Sequence, residues 1–252
     1  MALSSEKKDL IRRAGFQEHF QADSWSDFNR QFFNGLAPKY DALNEVLTFG
    51  QQKRYKTRAV RRSGITPGDL VLDICTGTGD MAFLIADEFE RSTVIGIDVA
   101  ESMLHIARRR AAGRPDVEFR VGDAMALPFT DGMFDAAVMS YGLRNLDDLQ
   151  KGIDEVRRVV RPGGKITFID LGKPEGALRQ LIYRAYFENL LPFLGRHLFH
   201  RGEFNSFRYL PESNKNFPTP TQLRATLTAS GLRDIQTYTY MGGTVLQLTA
   251  VR

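Results

Sequence analysis

The chain is predicted to be α/β: a Rossmann-like, mostly parallel seven-stranded sheet with helices on both faces, a C-terminal antiparallel hairpin and a helical cap. Three observations predict this. From about residue 70 to residue 170 short apolar runs alternate with helical patterns, which is how right-handed β-α-β units read in sequence. The first of those runs passes through two closely spaced glycines, Gly77 and Gly79, straight into a helix. Near the end the alternation stops, and two strand-like stretches flank a Gly242-Gly243 pair.

In chain order, the apolar and β-branched runs place strands at Val71 to Cys75, Thr93 to Asp98, Val117 to Gly122, Phe134 to Ser140 and Lys165 to Asp170, the last closed by Pro174. Helices fall between them at Asp80 to Phe89, Ser102 to Ala112 and Leu149 to Val160. The hairpin strands run from Asp234 to Met241 and from Thr244 to Arg252. Residues 1–66 are expected to form a helical cap over substrate and cofactor, and residues 67–252 the cofactor-binding domain, with an aromatic-rich helical insertion at about 176–210. Within the cap, Ile11, Phe16, Phe20, Trp25, Phe28, Phe32 and Phe33 recur at helical spacing. Such helices cover the cofactor, contact a membrane surface or pair with another subunit, and the pattern alone does not choose.

Gly77 and Gly79, lacking a Cβ, permit a tight turn and a close backbone approach, and the helix behind them points free N–H groups at whatever binds. The segment Gly77-Thr78-Gly79-Asp80-Met81-Ala82 also satisfies the dinucleotide pattern G-x-G-x-x-A. Charge separates the two cofactors. A dinucleotide brings an anionic pyrophosphate to the loop, where Asp73 before it and Asp80 after it are unfavourable; S-adenosylmethionine brings a sulfonium and an ammonium, which Asp73 attracts.

Two further acids extend the pattern. Asp98 ends the second strand where a ribose diol is held, and Asp123 follows the third, placed to accept from an adenine amino group while the backbone at Ala124 meets the ring. Asp123 could instead cap a helix ahead of Met125. After the fourth strand, Ser140-Tyr141-Gly142-Leu143-Arg144-Asn145 faces the reactive end of the cofactor. An otherwise parallel sheet closed by a hairpin is the arrangement of class I S-adenosylmethionine methyltransferases, which reinforces the cofactor choice but assigns no reaction.

Composition bounds the rest. With 252 residues, 42% of them hydrophobic, the chain can bury one full core and a small cap, but hardly two enzyme domains. The N-terminal stretch lacks the apolar core of a signal peptide, and no run approaches a membrane span. A single cysteine, Cys75, precludes an internal disulfide, offers no metal-ligand cluster and is read as a small packing residue; no metal is expected. A cytoplasmic protein is expected, at the inner face of the membrane if its acceptor is lipophilic. The basic residues Lys53, Arg54, Lys56, Arg58, Arg61 and Arg62 form a run that is either a solvated helix face or an approach to an anionic membrane surface or an acidic partner, and no nucleic-acid module accompanies them. His105 is read as facing solvent, while His197 and His200 belong to the aromatic insertion, either packed over the sheet or lining a lid for a prenyl tail.

From about Phe33 onward the chain resembles the ubiquinone/menaquinone biosynthesis C-methyltransferases. The resemblance is carried by Tyr40-Asp41-Ala42-Leu43-Asn44, the glycine loop, Ser140-Tyr141-Gly142-Leu143-Arg144-Asn145, Arg161-Pro162-Gly163-Gly164 and Phe207-Arg208-Tyr209-Leu210-Pro211-Glu212-Ser213. It implies cofactor contacts at Thr78, Asp98, Asp123, Ala124 and Ser140, beside Asp73, Gly77 and Gly79 from the residues themselves. It also implies methyl transfer from S-adenosylmethionine to a ring carbon of a prenylated quinol, with S-adenosylhomocysteine as product. The chain departs from the family signature at Leu43, Thr48, Gln52, Tyr55 and Leu248, so a small-molecule N- or O-methyltransferase remains an alternative, as does a non-catalytic S-adenosylmethionine-binding protein.

For a quinol, catalysis means positioning the ring and stabilising a phenolate. Arg144 is the candidate to hold that charge, Asn145 to orient the ring oxygens and Tyr40 to relay the proton; Arg144 could instead be a structural ion pair with Asp147 or Asp148, and Tyr40 a half-buried cap aromatic. The expected partners are a lipophilic quinol, a peripheral membrane contact and a second copy of the chain.

Overall fold

A computed structural model describes residues 3–17, 20–174, 176–190, 193 and 206–252. His197, His200 and much of the aromatic insertion lie outside the described residues. The core is a seven-stranded sheet of order β3-β2-β1-β4-β5-β7-β6. Its strands are β1 Leu70–Ile74, β2 Thr93–Asp98, β3 Val117–Val121, β4 Phe134–Ser140, β5 Val160–Leu171, β6 Arg233–Tyr240 and β7 Val245–Val251. Only β7 runs against its neighbours, pairing antiparallel with both β5 and β6.

The expected hairpin is present, but its reversed strand does not form the sheet's edge. β6 leaves a one-strand gap beside β5, and the turn at Met241–Gly243, where Gly242 and Gly243 both take positive φ, folds β7 back into that gap. β5 also begins earlier than expected. The Arg161-Pro162-Gly163-Gly164 turn is drawn into the strand by pairing of Val160 with Phe134, across an irregularity in register.

Both faces of the parallel strands are apolar, as a sheet covered on both sides requires. Leu72, Ile74, Phe134, Ala137, Met139, Ile166 and Phe168 point to one side, under α7 (Leu149–Val159) and the helix Pro220–Ala229. Val71, Val94, Ala136 and Val138 point to the other, under α4 (Gln52–Arg61), α5 (Asp80–Glu88) and α6 (Glu101–Arg110). Asp73 shares a face with Val71 and Val138, so its carboxyl lies on the α4 side.

A third apolar cluster belongs to the N-terminal helices α1 (Ser5–Ala14), α2 (Trp25–Leu36) and α3 (Tyr40–Leu47). Ser4 and Ser24 cap the first two, each accepting a backbone N–H three residues on. On α2, Trp25 stacks on Phe28 at 4.9 Å between centroids, and Phe32 lies 4.6 Å from Tyr209 of the helix α9 (Tyr209–Lys215). These rings fill the space between the cap and the C-terminal ends of the strands.

At Gly96, in β2, a Cβ would sit 2.6 Å from Phe119 Cδ1 and 2.7 Å from Thr76 Oγ1, beneath the glycine loop. Gly96→Ala is therefore expected to lower unfolding free energy by about 1–3 kcal/mol. The check is a lower urea midpoint at unchanged slope; an unchanged midpoint would show that Phe119 moves aside freely.

Candidate active site

The strand order reverses between β1 and β4, and ligands in open α/β sheets bind beyond the strand ends at such a point. A cleft opens there. It is walled by Cys75 and Gly77 after β1, Asp98 and Val99 after β2, Gly122 to Met125 after β3, and Ser140 to Gly142 after β4. From above it is closed by Trp25, Ser26, Asn29 and Phe33 of α2, together with Tyr40.

Of the residues expected to hold the cofactor, Gly77, Asp98, Asp123, Ala124 and Ser140 line this cleft, whereas Asp73 in β1 and Thr78 and Gly79 in the loop are buried and do not line it. Asp98 is the loop's anchor: its Oδ2 accepts the Gly77 N–H and its Oδ1 the Ala100 N–H, both at 2.9 Å. Burial pushes its carboxyl up, against the opposing pull of those N–H groups. Asp123 accepts the Met125 N–H at 2.9 Å, forming a local turn with no helix behind it, while still facing the cleft. Ser140 Oγ is buried and has no partner among the described residues.

Beneath the loop a chain of polar contacts ties the cap to it. Thr78 Oγ1 donates to Asp41 of α3 at 2.7 Å, and Arg110 donates to the Thr78 carbonyl at 2.9 Å and pairs with Asp80 at 2.8 Å. Gln52 and Lys56 of α4 both reach Asp80 Oδ2. Burial pushes Asp80 up, but Lys56 and Arg110 more than offset that and hold it below the usual carboxylate range. Asp73 is buried; its Oδ2 accepts the Thr76 hydroxyl at 2.5 Å, its Oδ1 has no partner among the described residues, and burial pushes it up to about 7. The other basic residues of the run on α4 are exposed, and Lys56 alone among them is buried.

Behind Tyr40 and Tyr141 lies a second chamber, a cavity of about 350 Å³. Phe33, Tyr40 and Tyr141 belong to both chambers and form the wall between them. The cavity is lined by Leu36, Leu43, Leu47, Leu171, Ile182 and further apolar and aromatic side chains, with Arg144 the only charged lining side chain among the described residues. Tyr55 and Tyr141 meet hydroxyl to hydroxyl at 2.6 Å. Tyr141 takes a left-handed backbone, φ 58, which for an aromatic residue signals strain at a functional position. Burial pushes the Tyr40 phenol up to about 12 and the Tyr141 phenol well above its ordinary value, so both are protonated at neutral pH.

Arg144 forms an ion pair, but not with Asp147 or Asp148. Its Nη1 donates to Asp170 Oδ1 at 2.8 Å and to the Tyr141 carbonyl at 3.0 Å, and its backbone N–H meets Asp170 Oδ2 at 3.2 Å. Asp148 instead caps α7 by accepting the Lys151 N–H, and Asp147 faces the cleft. The Nε of Arg144 is buried with no partner among the described residues. Asn145 falls on the cleft side, and its carboxamide is engaged at both ends: Nδ2 donates to the Tyr141 carbonyl at 2.9 Å and Oδ1 accepts the Tyr209 hydroxyl at 2.7 Å.

The fit to a cofactor can be judged from the walls. Asp98, Asp123 and Asp147 line the cleft, and no Lys, Arg or His does among the described residues. A pyrophosphate would find no cation there, whereas a sulfonium and an ammonium meet three carboxylates. Ser140 Oγ and Asn29 Oδ1, both buried without partners, supply further acceptors. No group of three or more His, Cys, Asp or Glu that could hold a metal ion occurs among the described residues.

A model of the ubiE/COQ5 methyltransferase family matches residues 22–252. The chain belongs to that family. Relatives include a protein named demethylmenaquinone methyltransferase from Thermus thermophilus, 42% identical over 79% of this chain and 90% of that protein. Another, named ubiquinone/menaquinone biosynthesis C-methyltransferase UbiE, from Geobacter sulfurreducens, is 35% identical over 81% of this chain and 80% of that protein. In fold the chain is similar to phosphoethanolamine N-methyltransferase 2 of Haemonchus contortus, solved with S-adenosylhomocysteine, at TM-score 0.66 and 18% identity, covering 92% of this chain and 60% of that one. This ubiE/COQ5 family member is an S-adenosylmethionine-dependent methyltransferase.

Several features of the site are not among those the sequence suggested. Asp170 had one visible signal, an acid at the end of a strand one position over from Ser140. Asn29 and the Tyr55–Tyr141 hydroxyl contact had none: Asn29 falls between the apolar positions that mark its helix, and the two tyrosines stand 86 residues apart in the chain. Cys75 turns out to face the cleft with φ 57, and burial and the surrounding carboxylates push its thiol well up, leaving it neutral. His105 is exposed, as expected.

The raised Asp73 carries a pH signature. Its folded value lies above its unfolded one, so its contribution to stability is complete below about pH 4 and is lost as pH rises through about 7. Asp73→Asn cannot ionise. The variant is expected to melt above the wild type near pH 8, with the advantage shrinking below pH 7 and gone by about pH 4, as followed by thermal unfolding; a constant difference would mean that the Asp73 carboxyl titrates alike in the folded and unfolded chain.

Proposed function

We propose that this methyltransferase transfers a methyl group from S-adenosylmethionine to a ring carbon of a prenylated quinol, of the demethylmenaquinol or polyprenyl-methoxy-benzoquinol type. The observation that carries the proposal is the apolar cavity of about 350 Å³ that shares a wall with the acidic cleft and holds one buried guanidinium. A polar acceptor would leave most of that lining unused. The names of the Thermus and Geobacter relatives point the same way.

When bound, S-adenosylmethionine supplies a methyl group made electrophilic by cationic sulfur. The residues contribute position and charge. Residues 1–66 close over the cofactor held by residues 67–252, and Phe33, Tyr40 and Tyr141 set the window across which the acceptor carbon approaches. As the ring hydroxyl gives up its proton, the oxygen acquires negative charge that Arg144 can meet through its free Nε–H, in a site with little water. Asp170 keeps the guanidinium in place. The high values of Tyr40 and Tyr141 suit neutral phenols that accept one proton while giving up another, and do not suit a phenolate base. The methylated ring carbon then loses its hydrogen as a proton, which the ring oxygen takes up as aromaticity returns, so that the proton first given up by the hydroxyl is the one net proton passed to solvent. Asn145, engaged at both ends, acts by holding the loop.

Access fits a lipophilic acceptor. On α8 (Ala177–Arg184), Leu178, Leu181 and Ile182 are more than half exposed, as is Phe49, and Ile182 and Phe49 line the cavity. No helix among the described residues is long and apolar enough to cross a membrane, so we assign this exposed apolar surface, near a basic α4, to peripheral contact with the lipid that holds the acceptor.

Incubation with S-adenosylmethionine and a short-chain demethylmenaquinol under reducing conditions is expected to yield a product methylated on carbon, identified by mass spectrometry; methylation on oxygen alone would overturn the proposal. Arg144→Met combined with Asp170→Asn removes both charges, so no buried carboxylate is left unpaired. This pair of changes is expected to cut kcat by about 10²–10³-fold while S-adenosylhomocysteine affinity stays near wild type. An equal loss in affinity would place Arg144 on the cofactor side.

A further inference from the structure

Asn29 stands on α2, in the cap, and is 7% exposed. Its Nδ2 donates to the Asn145 carbonyl at 2.7 Å, and the Trp25 indole N–H donates to the same oxygen at 2.7 Å. A carbonyl only accepts, so the nitrogen end of the Asn29 carboxamide must face Asn145, which fixes the other end as oxygen. That Oδ1 is buried and has no partner among the described residues, and Asn29 lines the cofactor cleft. A buried amide oxygen without a donor costs about 1–3 kcal/mol. No donor among the described residues supplies it, and the cleft is where a donor can arrive.

We propose that Asn29 is a cofactor-binding residue contributed by the cap: its Oδ1 accepts a hydrogen bond from an ammonium or hydroxyl group of bound S-adenosylmethionine. The cap then does more than exclude water. Through one carboxamide it bonds to the cofactor on one side and to the loop after β4 on the other, so cofactor binding and cap closure reinforce each other. The proposal rests on the cofactor assignment of the cleft, which binding of S-adenosylhomocysteine to the wild type tests separately.

The test is calorimetric titration with S-adenosylhomocysteine of the full-length wild type, Asn29→Leu and Asn34→Ala. Asn34 stands on the same helix but outside the cleft; its Oδ1 accepts the Ser102 N–H at 2.9 Å, so its loss loosens α2 without touching a cofactor contact. Asn29→Leu is expected to weaken binding roughly tenfold or more, with Asn34→Ala much closer to wild type. The thermal midpoint of the ligand-free Asn29→Leu protein should change little, because the lost hydrogen bond to the Asn145 carbonyl, which keeps Trp25, is offset by removal of an unpaired buried oxygen. Equal weakening in both variants would show that Asn29 acts only by holding the helix, and wild-type affinity in Asn29→Leu would show that it bonds to nothing on the cofactor; either overturns the proposal. Repeating the titration with 5′-methylthioadenosine, which lacks the amino-acid end, assigns the donor: a persisting penalty places it on the adenosine, a vanishing one on the ammonium.

Discussion

Asn145 is the joint on which the site depends. Its N–H is bonded to the Gly142 carbonyl, its carbonyl takes Trp25 and Asn29 from the cap, its Nδ2 takes the Tyr141 carbonyl, and its Oδ1 takes Tyr209 from α9. Three parts of the chain more than 60 residues apart are thus held at one peptide unit beyond the end of β4. The oriented groups around it follow: Tyr141 is held with positive φ in the wall between the chambers, and Arg144 lies where Asp170 can fix it. A looser joint would leave the aromatic cap with no defined seat, because ring packing alone is only weakly directional.

The two chambers differ in charge as their tasks require. Carboxylates face the cleft, where the ligand is cationic, and the basic partners Lys56 and Arg110 stand behind the loop, neutralising Asp80 without entering the cleft. In the cavity the order is inverted: one guanidinium faces an apolar volume and its carboxylate partner is buried behind it. On the proposed assignment the positive sulfur and the developing negative oxygen would each meet the opposite sign, and the low polarity of the surroundings would keep both attractions strong.

Much of the sheet could be read from the chain because strand-forming runs and glycines act locally. The apolar run before Gly77 and the acids closing β2 and β3 report their places with no knowledge of the rest. What could not be read depends on pairings distant in sequence. Thr78 resembles a loop residue free to meet the cofactor, yet Asp41 takes its hydroxyl; Asp73 resembles a direct contact, yet strand alternation turns it towards α4. Arg144 was legible as an acceptor-side cation, but its partner lies 26 residues away at the end of another strand, where nearby Asp147 and Asp148 had stronger local claims. Of Leu43, Thr48, Gln52 and Tyr55, which depart from the signature the resemblance implies, three make side-chain hydrogen bonds within this fold. Gln52 bonds to Asp80, Tyr55 bonds to Tyr141, and Thr48 returns its hydroxyl to the Asn44 carbonyl.

Helix α2 contributes Asn29 to the cleft, Phe32 and Leu36 to the cavity, and Phe33 to both. A single rigid element therefore seals two compartments. A displacement of this helix would therefore reshape both compartments at once, whereas changes at Leu43 or Leu47 of α3, or around Met241, reshape the cavity alone. The lid is thus divided in its effects: the helix over the cofactor couples the two compartments, and much of the remaining cavity wall is free of that coupling.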